Sequence, residues 1–489
     1  MLRRTKIVAT LGPASSDQKV LEQMIRAGVD LVRMNFSHGS PQDHMQRAAT
    51  VRAAAAAVGR TVGILADLQG PKIRVRKFQN DKIVLEKGDH FILDAALEGL
   101  GNQERVGLDY KELPNDVEPG TVLLLNDGML ELHVTAVKGP EVHCVVVRGG
   151  VLSNNKGINR KGGGLTAPAL TDKDKEDIKT AALIKADYLA VSFPRSAEDM
   201  KQARELMHAA GGKSMIMAKI ERAEAIPALN EIIEASDAIM VARGDLSVEV
   251  GDAAVPGLQK RMIRLARAKN KLVITATQMM ESMITNPIPT RAEVSDVANA
   301  VLDGTDAVML SAETAVGDYP VETVEAMARI CLKAEGEEED HILDRRNVAQ
   351  KFTRIDQSIA MSALYAASHL KVKAIVALTQ SGSTPLWMSR ITSTVPIFAL
   401  TPVQETLTKV TLFCGVHPIA FHSAASNQSE ELRNAEQALV ERGLVEEGDL
   451  IIMTVGEAVG KSGHTNTMKI VRVGDHHKIH EVEATGQTH

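Results

Sequence analysis

Charged residues that suit the stabilisation of a phosphate or an enolate stand at the ends of several short apolar runs. Lys219 and Glu221 lie two positions apart, so they share a face if their run is a strand. Glu221 and Asp245 are hard carboxylates, and Mg²⁺ takes one or two of these and completes its shell with water and phosphate oxygens. Lys219 and Arg33 add the positive charge that stabilises a phosphoryl group in transfer or a developing enolate.

The same pattern recurs at five predicted strand ends. A single pair such as Lys219 and Glu221 has an alternative interpretation, a buried ion pair that only neutralises itself. Five clusters at one rim would each carry a desolvation cost of about a few kcal/mol without function, which favours a ligand. The clusters are Arg33, Asn35, Ser37 and His38; Asp67; Lys219 and Glu221; Arg243, Gly244 and Asp245; and Thr277 and Gln278.

Eight near-continuous apolar runs would carry these residues as strands that are buried on both faces. They alternate with helical patterns such as DQKVLEQMIRAG and VPGLQKRMIRLARAKN, which predicts an α/β fold of the (β/α)8 TIM barrel type. Barrel enzymes gather their reactive groups at the carboxyl ends of the strands, where the clusters fall. The runs cover 4–12, 30–38, 62–70, 187–193, 213–220, 237–243, 271–278 and 306–313.

The interval between the third and fourth runs is far longer than the others and predicts an inserted domain. Segments such as TVLLLNDGMLELHVTAV and EVHCVVVRGG indicate short strands, so we expect an all-β, barrel-like lid domain over 71–167. The barrel then comprises 1–70 and 168–342. The acidic, helical connector AEGEEEDHILDRRN is interpreted as a solvated surface.

A third domain of α/β type is expected over 343–489, with a regulatory role. Helices are predicted for IDQSIAMSALYAASHL and TPLWMSRITS, and strands for KAIVALT, VPIFALT and DLIIMTVG. A final strand, TMKIVRV, would close the sheet.

Composition excludes several classes of function. A net charge of −6 with 3% aromatic residues argues against a basic, base-stacking nucleic-acid surface. No segment approaches the roughly eighteen unbroken apolar residues of a membrane span, and MLRRTKIVATLG lacks a secretory apolar core, so we expect a cytoplasmic chain. Cys144, Cys331 and Cys414 are widely separated and odd in number, which favours buried thiols over disulfides or a metal site.

Several long blocks of the sequence, in a consistent order, resemble those of the pyruvate kinase family. They are VRMNFSHG, DLQGPKIR, MAKIERAEA, IMVARGDL, ITATQMMESM and DGTDAVMLSAET, with NDG and NNKGIN in the insertion. The resemblance covers nearly the whole chain. It implies transfer of the phosphoryl group of phosphoenolpyruvate to ADP, the last step of glycolysis, in which enolpyruvate is then protonated to pyruvate.

The resemblance also implies a role for each matching residue. Glu221 and Asp245 would bind Mg²⁺, with Mn²⁺ as an alternative, and Lys219 would neutralise charge on the phosphoryl group and on the enolate oxygen. Arg33 would bind the phosphate. The substrate carboxylate would meet the backbone N–H groups of Gly244 and Asp245 and the hydroxyl of Thr277, which also lies in the proton path. Nucleotide phosphates would meet Asn35, His38, Arg74 and Lys156; Asp127 of NDG is either a further contact or simply a turn residue.

Lys72 departs from the potassium-dependent members of the family. They carry Glu after Gly-Pro, and they hold K⁺ with groups that correspond to Asn35, Ser37, Asp67 and the carbonyl of Leu68. Leu68 and Gln69 also replace the Thr and Lys usual in those members. An ammonium on a flexible stem delivers one positive charge to the same region, so we expect no requirement for K⁺. The alternative is a surface lysine on a strand of the insertion.

A hydroxyl-rich loop in the third domain is expected to bind a phosphorylated effector at a helix N-terminus. It contains Thr379, Ser381, Gly382, Ser383 and Thr384. A second loop, GEAVGKSGHTNTM, would face it; Gly456 and Gly460 enclose three residues where a Walker A loop needs four. Ser383 replaces an Arg often found in the family, so the resemblance favours a sugar monophosphate or AMP over fructose bisphosphate. It also implies a homotetramer.

Two other functions remain open from the sequence. A Mg²⁺-dependent lyase or aldolase that acts on pyruvate or phosphoenolpyruvate would use the same barrel, metal and lysine. The inserted domain with Lys156 argues against it, because a lyase needs no clamp for ADP. A non-catalytic sugar-phosphate sensor is the other alternative, and the joint presence of Lys219, Glu221, Asp245 and Thr277 argues against it.

Overall fold

The computed structural model describes residues 2–71, 73–337, 352–456 and 465–475. The chain separates into two compact units, Thr5–Gly336 and Met1–Arg4 with Glu337–His489. The expected boundary between 342 and 343 and most of the acidic connector lie outside the described residues, so the division into domains stays a prediction. No helix in the described part of the chain is long and apolar enough to cross a membrane.

The first unit begins with three parallel strands whose residues are almost all buried. Helix α1 begins after Asp17, whose carboxylate accepts the N–H groups of Lys19 and Val20. Helix α2 follows a capping box of Ser40 and Asp43. The elements are β1 (Lys6–Thr10), α1 (Gln18–Ala27), β2 (Leu31–Asn35), α2 (Pro41–Val58) and β3 (Gly63–Asp67).

The inserted segment forms a six-stranded sheet and a two-stranded sheet. Alternate residues of its strands face a separate core that includes Phe91, Leu132 and Cys144. The six-stranded order is β11-β7-β8-β9-β5-β6, and β10 pairs with β4. The elements are β4 (Lys82–Leu85), β5 (His90–Asp94), β6 (Arg105–Gly107), α3 (Leu113–Asp116), β7 (Val122–Leu125), β8 (Leu130–Lys138), β9 (Glu141–Arg148), β10 (Gly150–Ser153) and β11 (Ile158–Arg160).

Five further strands close the barrel in the order β1-β16-β15-β14-β13-β12-β3-β2. All neighbours are parallel, and β1 pairs with β16 at the register Lys6↔Ala307. The predicted TIM barrel is confirmed, with a strand in each of the eight apolar runs. The elements are α4 (Asp172–Leu183), β12 (Tyr188–Val191), α5 (Ala197–Ala209), β13 (Met215–Ile220), α6 (Leu229–Ala235), β14 (Ala238–Ala242), α7 (Arg243–Val250), α8 (Val255–Ala268), β15 (Leu272–Ala276), α9 (Arg291–Leu302), β16 (Ala307–Leu310), α10 (Ala312–Ala315) and α11 (Pro320–Gly336).

The second unit is a five-stranded sheet in the order β19-β18-β17-β20-β21, in which only β21 is antiparallel to its neighbour. The predicted α/β class and the closing strand are confirmed. Strand β19 was not predicted because Pro418 and His417 interrupt its apolar pattern; it lies at the sheet edge, where proline is tolerated. The elements are α12 (Ile355–Leu370), β17 (Ala374–Leu378), α13 (Ser383–Ser389), β18 (Ile397–Thr401), α14 (Gln404–Lys409), β19 (Val416–Ala420), α15 (Gln428–Val440), β20 (Leu450–Gly456) and β21 (Thr465–Arg472).

Candidate active site

Four charged side chains form a continuous chain of ion pairs at the carboxyl ends of β2, β3 and β13. Lys219 Nζ lies 2.9 Å from Glu221 Oε1 and 3.3 Å from Asp67 Oδ1. Arg33 Nε donates to Asp67 Oδ2 at 2.6 Å. The Asp67 and Glu221 side chains are only 1% and 2% exposed. We call Arg33, Asp67, Lys219 and Glu221 the ion-pair chain.

Ser192, directly after β12, joins this chain to the neighbouring loop. Lys219 donates to Ser192 Oγ at 2.7 Å, and Ser192 Oγ donates to the carbonyl of Leu68 at 2.7 Å. The backbone N–H of Phe193 donates to Glu221 Oε2 at 3.1 Å. Sequence reasoning missed Ser192; its only signal was its place at the end of the fourth apolar run.

Burial and charge oppose each other within the ion-pair chain. Burial raises the pKa of Asp67, but the charges of Lys219 and Arg33 outweigh it and hold that pKa below its usual value. Burial lowers the pKa of Lys219, and the Asp67 and Glu221 carboxylates more than reverse this effect, so the ammonium stays charged. Burial raises the pKa of Glu221 to about 7, and neighbouring Asp245 and Asp67 add to the shift against the attraction of Lys219.

Burial and the neighbouring Asp245 and Asp67 carboxylates raise the pKa of Glu221 although Lys219 lies 2.9 Å away, so a second positive charge would stabilise its ionised form. A divalent cation held by Glu221 and half-buried Asp245 would supply it, because both are hard oxygen donors. Within the described residues no cluster of three or more His, Cys, Asp or Glu side chains forms a metal cage. Two carboxylates fit Mg²⁺, whose remaining positions are filled by water and substrate phosphates.

Thr277 and Gly244 meet beside the ion-pair chain. The N–H of Gly244, in the first turn of α7, donates to Thr277 Oγ1 at 2.9 Å. Thr277 and Gln278 have φ values of 67° and 53°, in the left-handed region. This conformation is rare for a β-branched residue and occurs mainly at functional sites.

Two basic residues of the insertion lie on paired backbone segments. Arg74 forms a bridge with Gly157, and the N–H of Val75 donates to the carbonyl of Lys156 at 2.9 Å. Arg74 Nε is buried and has no hydrogen-bond partner among the described residues. A cleft between the insertion and the barrel is lined by Pro71, Asp127, Asn159, Arg222, Asp245 and Glu249, among others.

The other predicted residues of this region lie on β2 and β3 or directly after them, near the rim. His38 is exposed, and Asn35 Oδ1 accepts the N–H of Ser37 at 3.0 Å. Asp67 and Leu68 are buried. Lys72 lies outside the described residues.

The insertion rests on two glutamates of the barrel. The N–H of Gly162 donates to the carbonyl of Glu249 at 3.1 Å, and the N–H of Gly164 donates to Glu224 Oε1. Between them Gly163 has a φ of +82°, and a Cβ there would lie 2.6 Å from the Glu224 carboxylate. Glycine is therefore required at this contact.

Glu249 makes the stability of the folded chain depend on pH. Burial raises its pKa to about 7, and the charge of Glu224 adds to this effect against its hydrogen bond from Ala223 N–H. Because the folded pKa exceeds the unfolded value, the free energy of unfolding falls as pH rises from about 4.5 to about 7 and has lost the whole contribution above that pH. Glu249→Gln should reduce this fall and raise stability at pH 8.5 by up to about 3 kcal/mol. Melting temperatures of both proteins at pH 5.5 and 8.5 measure this change in the pH dependence of stability.

Glu234→Gln is the control for that variant, because Glu234 is an exposed glutamate paired with Lys269. It should leave the pH dependence of the melting temperature unchanged. An equally steep dependence in Glu249→Gln and the unsubstituted protein would contradict the prediction.

The predicted effector loop is a compact set of hydroxyl groups at the start of α13. The N–H of Gly382, whose φ is 81°, donates to Thr379 Oγ1 at 2.9 Å. The Ser381 and Ser383 hydroxyl oxygens lie 2.8 Å apart. Thr384 Oγ1 lies 2.7 Å from Thr465 Oγ1, at the start of β21. Most of the second loop, residues 457–464, lies outside the described part of the chain.

A closed (β/α)8 barrel with a β-sheet insertion, and with cations and carboxylates gathered at its rim, fits a barrel-type phosphotransferase. The family model described as pyruvate kinase, barrel domain, matches residues 2–324, and that described as pyruvate kinase, alpha/beta domain, matches residues 357–471. The chain belongs to the pyruvate kinase family. This membership favours the phosphotransferase over the lyase and the sensor.

Curated relatives align with nearly the whole chain. Pyruvate kinase II of Salmonella typhimurium is 57% identical over 477 residues, which are 96% of this chain and 99% of that protein. Pyruvate kinase of Haemophilus influenzae is 57% identical over 460 residues, 93% of this chain and 96% of that protein. Pyruvate kinase of Staphylococcus haemolyticus is 42% identical over 480 residues, 97% of this chain and 81% of that protein.

Proposed function

We propose that this enzyme transfers the phosphoryl group of phosphoenolpyruvate to ADP and yields pyruvate and ATP. The ion-pair chain, with the raised pKa of Glu221 at its end, carries the proposal. It holds a charged ammonium beside a carboxylate whose ionised form is disfavoured by burial and by the neighbouring Asp245 and Asp67 carboxylates. A metal-bound phosphate, whose transfer is stabilised chiefly by positioned charge, is complementary to this arrangement.

Each residue of the rim has a proposed role. Glu221 and Asp245 hold Mg²⁺, or Mn²⁺ as an alternative; when bound, the divalent cation neutralises phosphate charge. The Lys219 ammonium stabilises the phosphoryl group in transfer and then the enolate oxygen, and Arg33 binds the phosphate. The substrate carboxylate is held by the Gly244 and Asp245 N–H groups and by Thr277. The residues proposed to bind the substrate and the metal are Arg33, Lys219, Glu221, Gly244, Asp245 and Thr277.

The nucleotide is proposed to bind between the barrel rim and the insertion. Asn35 and His38 lie on the barrel side, and Arg74 and Lys156 on the insertion. The unpartnered Nε of Arg74 supports an anion there. Closure of the insertion over ADP would exclude water from the phosphoryl group in transfer.

Formation of pyruvate from phosphoenolpyruvate and ADP with Mg²⁺ is the direct test. The purified full chain should form pyruvate only when both substrates and the metal are present. No pyruvate under these conditions, with sugar phosphates present or absent, would overturn the proposal.

Lys72 is proposed to replace K⁺, with Asn35, Ser37, Asp67 and Leu68 as the residues of the monovalent-cation region. Activity in K⁺-free buffer should therefore equal activity with K⁺ added, because one positive charge is already supplied. Lys72→Glu should restore a requirement for K⁺. The matched control is Lys82→Glu, at an exposed lysine of β4. Negligible activity of the unsubstituted enzyme without K⁺, restored by K⁺, would contradict the prediction.

The loop of Thr379, Ser381, Gly382, Ser383 and Thr384 is proposed to bind a sugar monophosphate or AMP. Trp387, the single tryptophan of the chain, lies on α13 directly after this loop and donates to Asp356 Oδ2 at 3.3 Å. Binding should change the tryptophan emission and lower the half-saturating concentration of phosphoenolpyruvate, by about 5-fold or more. Thr384→Val should weaken both effects.

The same sugar without its phosphate is the control ligand for the effector. Calorimetry that shows no binding by sugar monophosphates and AMP would refute this site. Coupling between the effector and the substrate requires two quaternary states, and we propose a cytoplasmic homotetramer from family membership.

A further inference from the structure

The turn after β15 is held by one guanidinium group from the adjacent strand end. Arg243 Nη2 donates to the carbonyl of Thr277 at 2.5 Å and to that of Gln278 at 3.1 Å. Arg243 Nε lies 3.2 Å from the Thr277 carbonyl and 3.3 Å from that of Ala276. Three consecutive carbonyl groups therefore converge on a single side chain.

The other edge of this guanidinium is also occupied. Arg243 Nη1 donates to Asp296 of α9 at 2.8 Å and lies 3.5 Å from Gln259 Oε1 of α8. The Arg243 side chain is 9% exposed, and Asp296 balances its charge. Because all its faces are engaged, Arg243 is not available to a ligand. Its contacts are with backbone and with neighbouring helices.

The backbone that Arg243 holds is the strained part of the site. Thr277 and Gln278 both have positive φ, and such residues persist only where the surroundings fix them. The planar, forked guanidinium matches several carbonyl acceptors at once, whereas the ammonium of a lysine does not reproduce this geometry. Arg243 also directly precedes Gly244, whose N–H donates to Thr277 Oγ1. Arg243 therefore fixes the turn through its side chain. Its backbone also places the Gly244 N–H that donates to the Thr277 hydroxyl.

We propose that Arg243 is a positioning residue that sets the direction of the Thr277 hydroxyl for the proton-transfer step. This inference rests on the proposed function and on the place of Thr277 that the family resemblance implies, in the proton path beside the methylene carbon of the substrate. In that step the water-linked path through the Thr277 hydroxyl delivers a solvent proton to the methylene carbon of the enolate; the C=C electron pair forms the new C–H bond, and the enolate oxygen becomes the ketone oxygen. In reverse, the methyl carbon of pyruvate gives a proton to the same path and the enolate forms, so the methyl hydrogens exchange with solvent.

The experiment measures solvent exchange of the pyruvate methyl hydrogens in a double-substitution cycle. Arg243→Lys should slow this exchange by about 10- to 100-fold, and it should lower kcat more than it raises KM for phosphoenolpyruvate. Thr277→Val should also slow exchange. In the Thr277→Val background, Arg243→Lys should have little further effect, because the hydroxyl that it positions is already absent.

Arg204→Lys is the matched control for Arg243→Lys. Arg204 bridges the Asp237 carboxylate at 2.8 Å and the Ala235 carbonyl at 3.0 Å, at the opposite ends of the barrel strands. The Arg204→Lys variant should leave the solvent exchange of the pyruvate methyl hydrogens unchanged. Equal losses from both lysine substitutions, or additive effects of Arg243→Lys and Thr277→Val, would overturn the proposal.

A second measurement does not depend on turnover. Amide hydrogen–deuterium exchange of the segment 276–280 should be faster in Arg243→Lys and, to a smaller extent, in Asp296→Asn, which removes the balancing charge. Unchanged amide exchange would refute the proposal that Arg243 holds this turn, even if the enzyme forms pyruvate. If the unsubstituted enzyme forms no pyruvate while amide exchange responds to Arg243→Lys, the proposed function fails, and the hold of Arg243 on the turn is retained as a structural feature.

Discussion

Replacement of Lys219 by Met is expected to reduce pyruvate formation by at least about 10³-fold while the barrel remains folded. The substitution keeps an unbranched apolar stem, with sulfur in place of Cδ, and removes the terminal ammonium. That ammonium contacts Glu221, Asp67 and Ser192 in the structure. Without it, the developing negative charge of the phosphoryl group and enolate has no adjacent lysine. The measurement is kcat with saturating substrates and Mg²⁺.

The fold of the Lys219→Met variant is checked separately from its activity. Far-UV circular dichroism should be unchanged, whereas the melting temperature should fall, because removal of one partner of a buried ion pair costs about 3–5 kcal/mol. Lys260→Met is the control, at a lysine that is half exposed and paired with Asp303. Retention of normal turnover by Lys219→Met would remove the catalytic role assigned to Lys219.

Replacement of Glu221 by Gln is expected to lower kcat by about 10²-fold or more and to raise the Mg²⁺ concentration needed for half-maximal activity. Gln keeps the shape of the side chain and a carbonyl oxygen but loses the charge that attracts the cation. In the metal-free protein, the substitution also removes a carboxylate whose ionised form is disfavoured by burial, which raises the pKa of Glu221 to about 7. We therefore expect the metal-free variant to melt at a higher temperature than the metal-free enzyme above pH 7.

Titration of each protein with Mg²⁺ measures this effect, with activity and melting temperature as independent readouts. Glu234→Gln is again the surface control. An unchanged half-saturating Mg²⁺ concentration in Glu221→Gln would show that Glu221 is not a metal ligand.

The architecture could be predicted from the sequence because barrel strands, which are buried on both faces, appear as apolar runs separated by amphipathic helices. Each of the eight apolar runs contains one barrel strand. Strand β19 escaped prediction, because an edge strand with Pro418 lacks the continuous apolar pattern of its neighbours. Helices α14 and α15 were also not predicted; they are outer elements of the second unit.

The contacts within the site could be predicted from the sequence less well than the fold. The two-residue period of a strand places Lys219 and Glu221 on one face at the end of β13. No sequence pattern states that Asp67 lies opposite Lys219 or that Ser192 Oγ accepts a hydrogen bond from Lys219. These contacts depend on the closure of the barrel, which brings β3, β12 and β13 together. Arg243 was visible at a strand end, yet its role depends on the path of a turn that begins 34 residues later. Tertiary geometry decides such roles.

The pairing of β1 with β16 has a consequence for biosynthesis. Lys6 must find Ala307, about 300 residues later in the chain, before the barrel can close. At about 5–20 residues per second, the ribosome supplies β16 about 15–60 s after β1. During this interval the open edges of β1 and its neighbours can pair wrongly. The inserted domain has a core of its own and is complete before the barrel is. We therefore expect nascent chains that end before β16 to depend on chaperones, and chains that extend past it to be released from them.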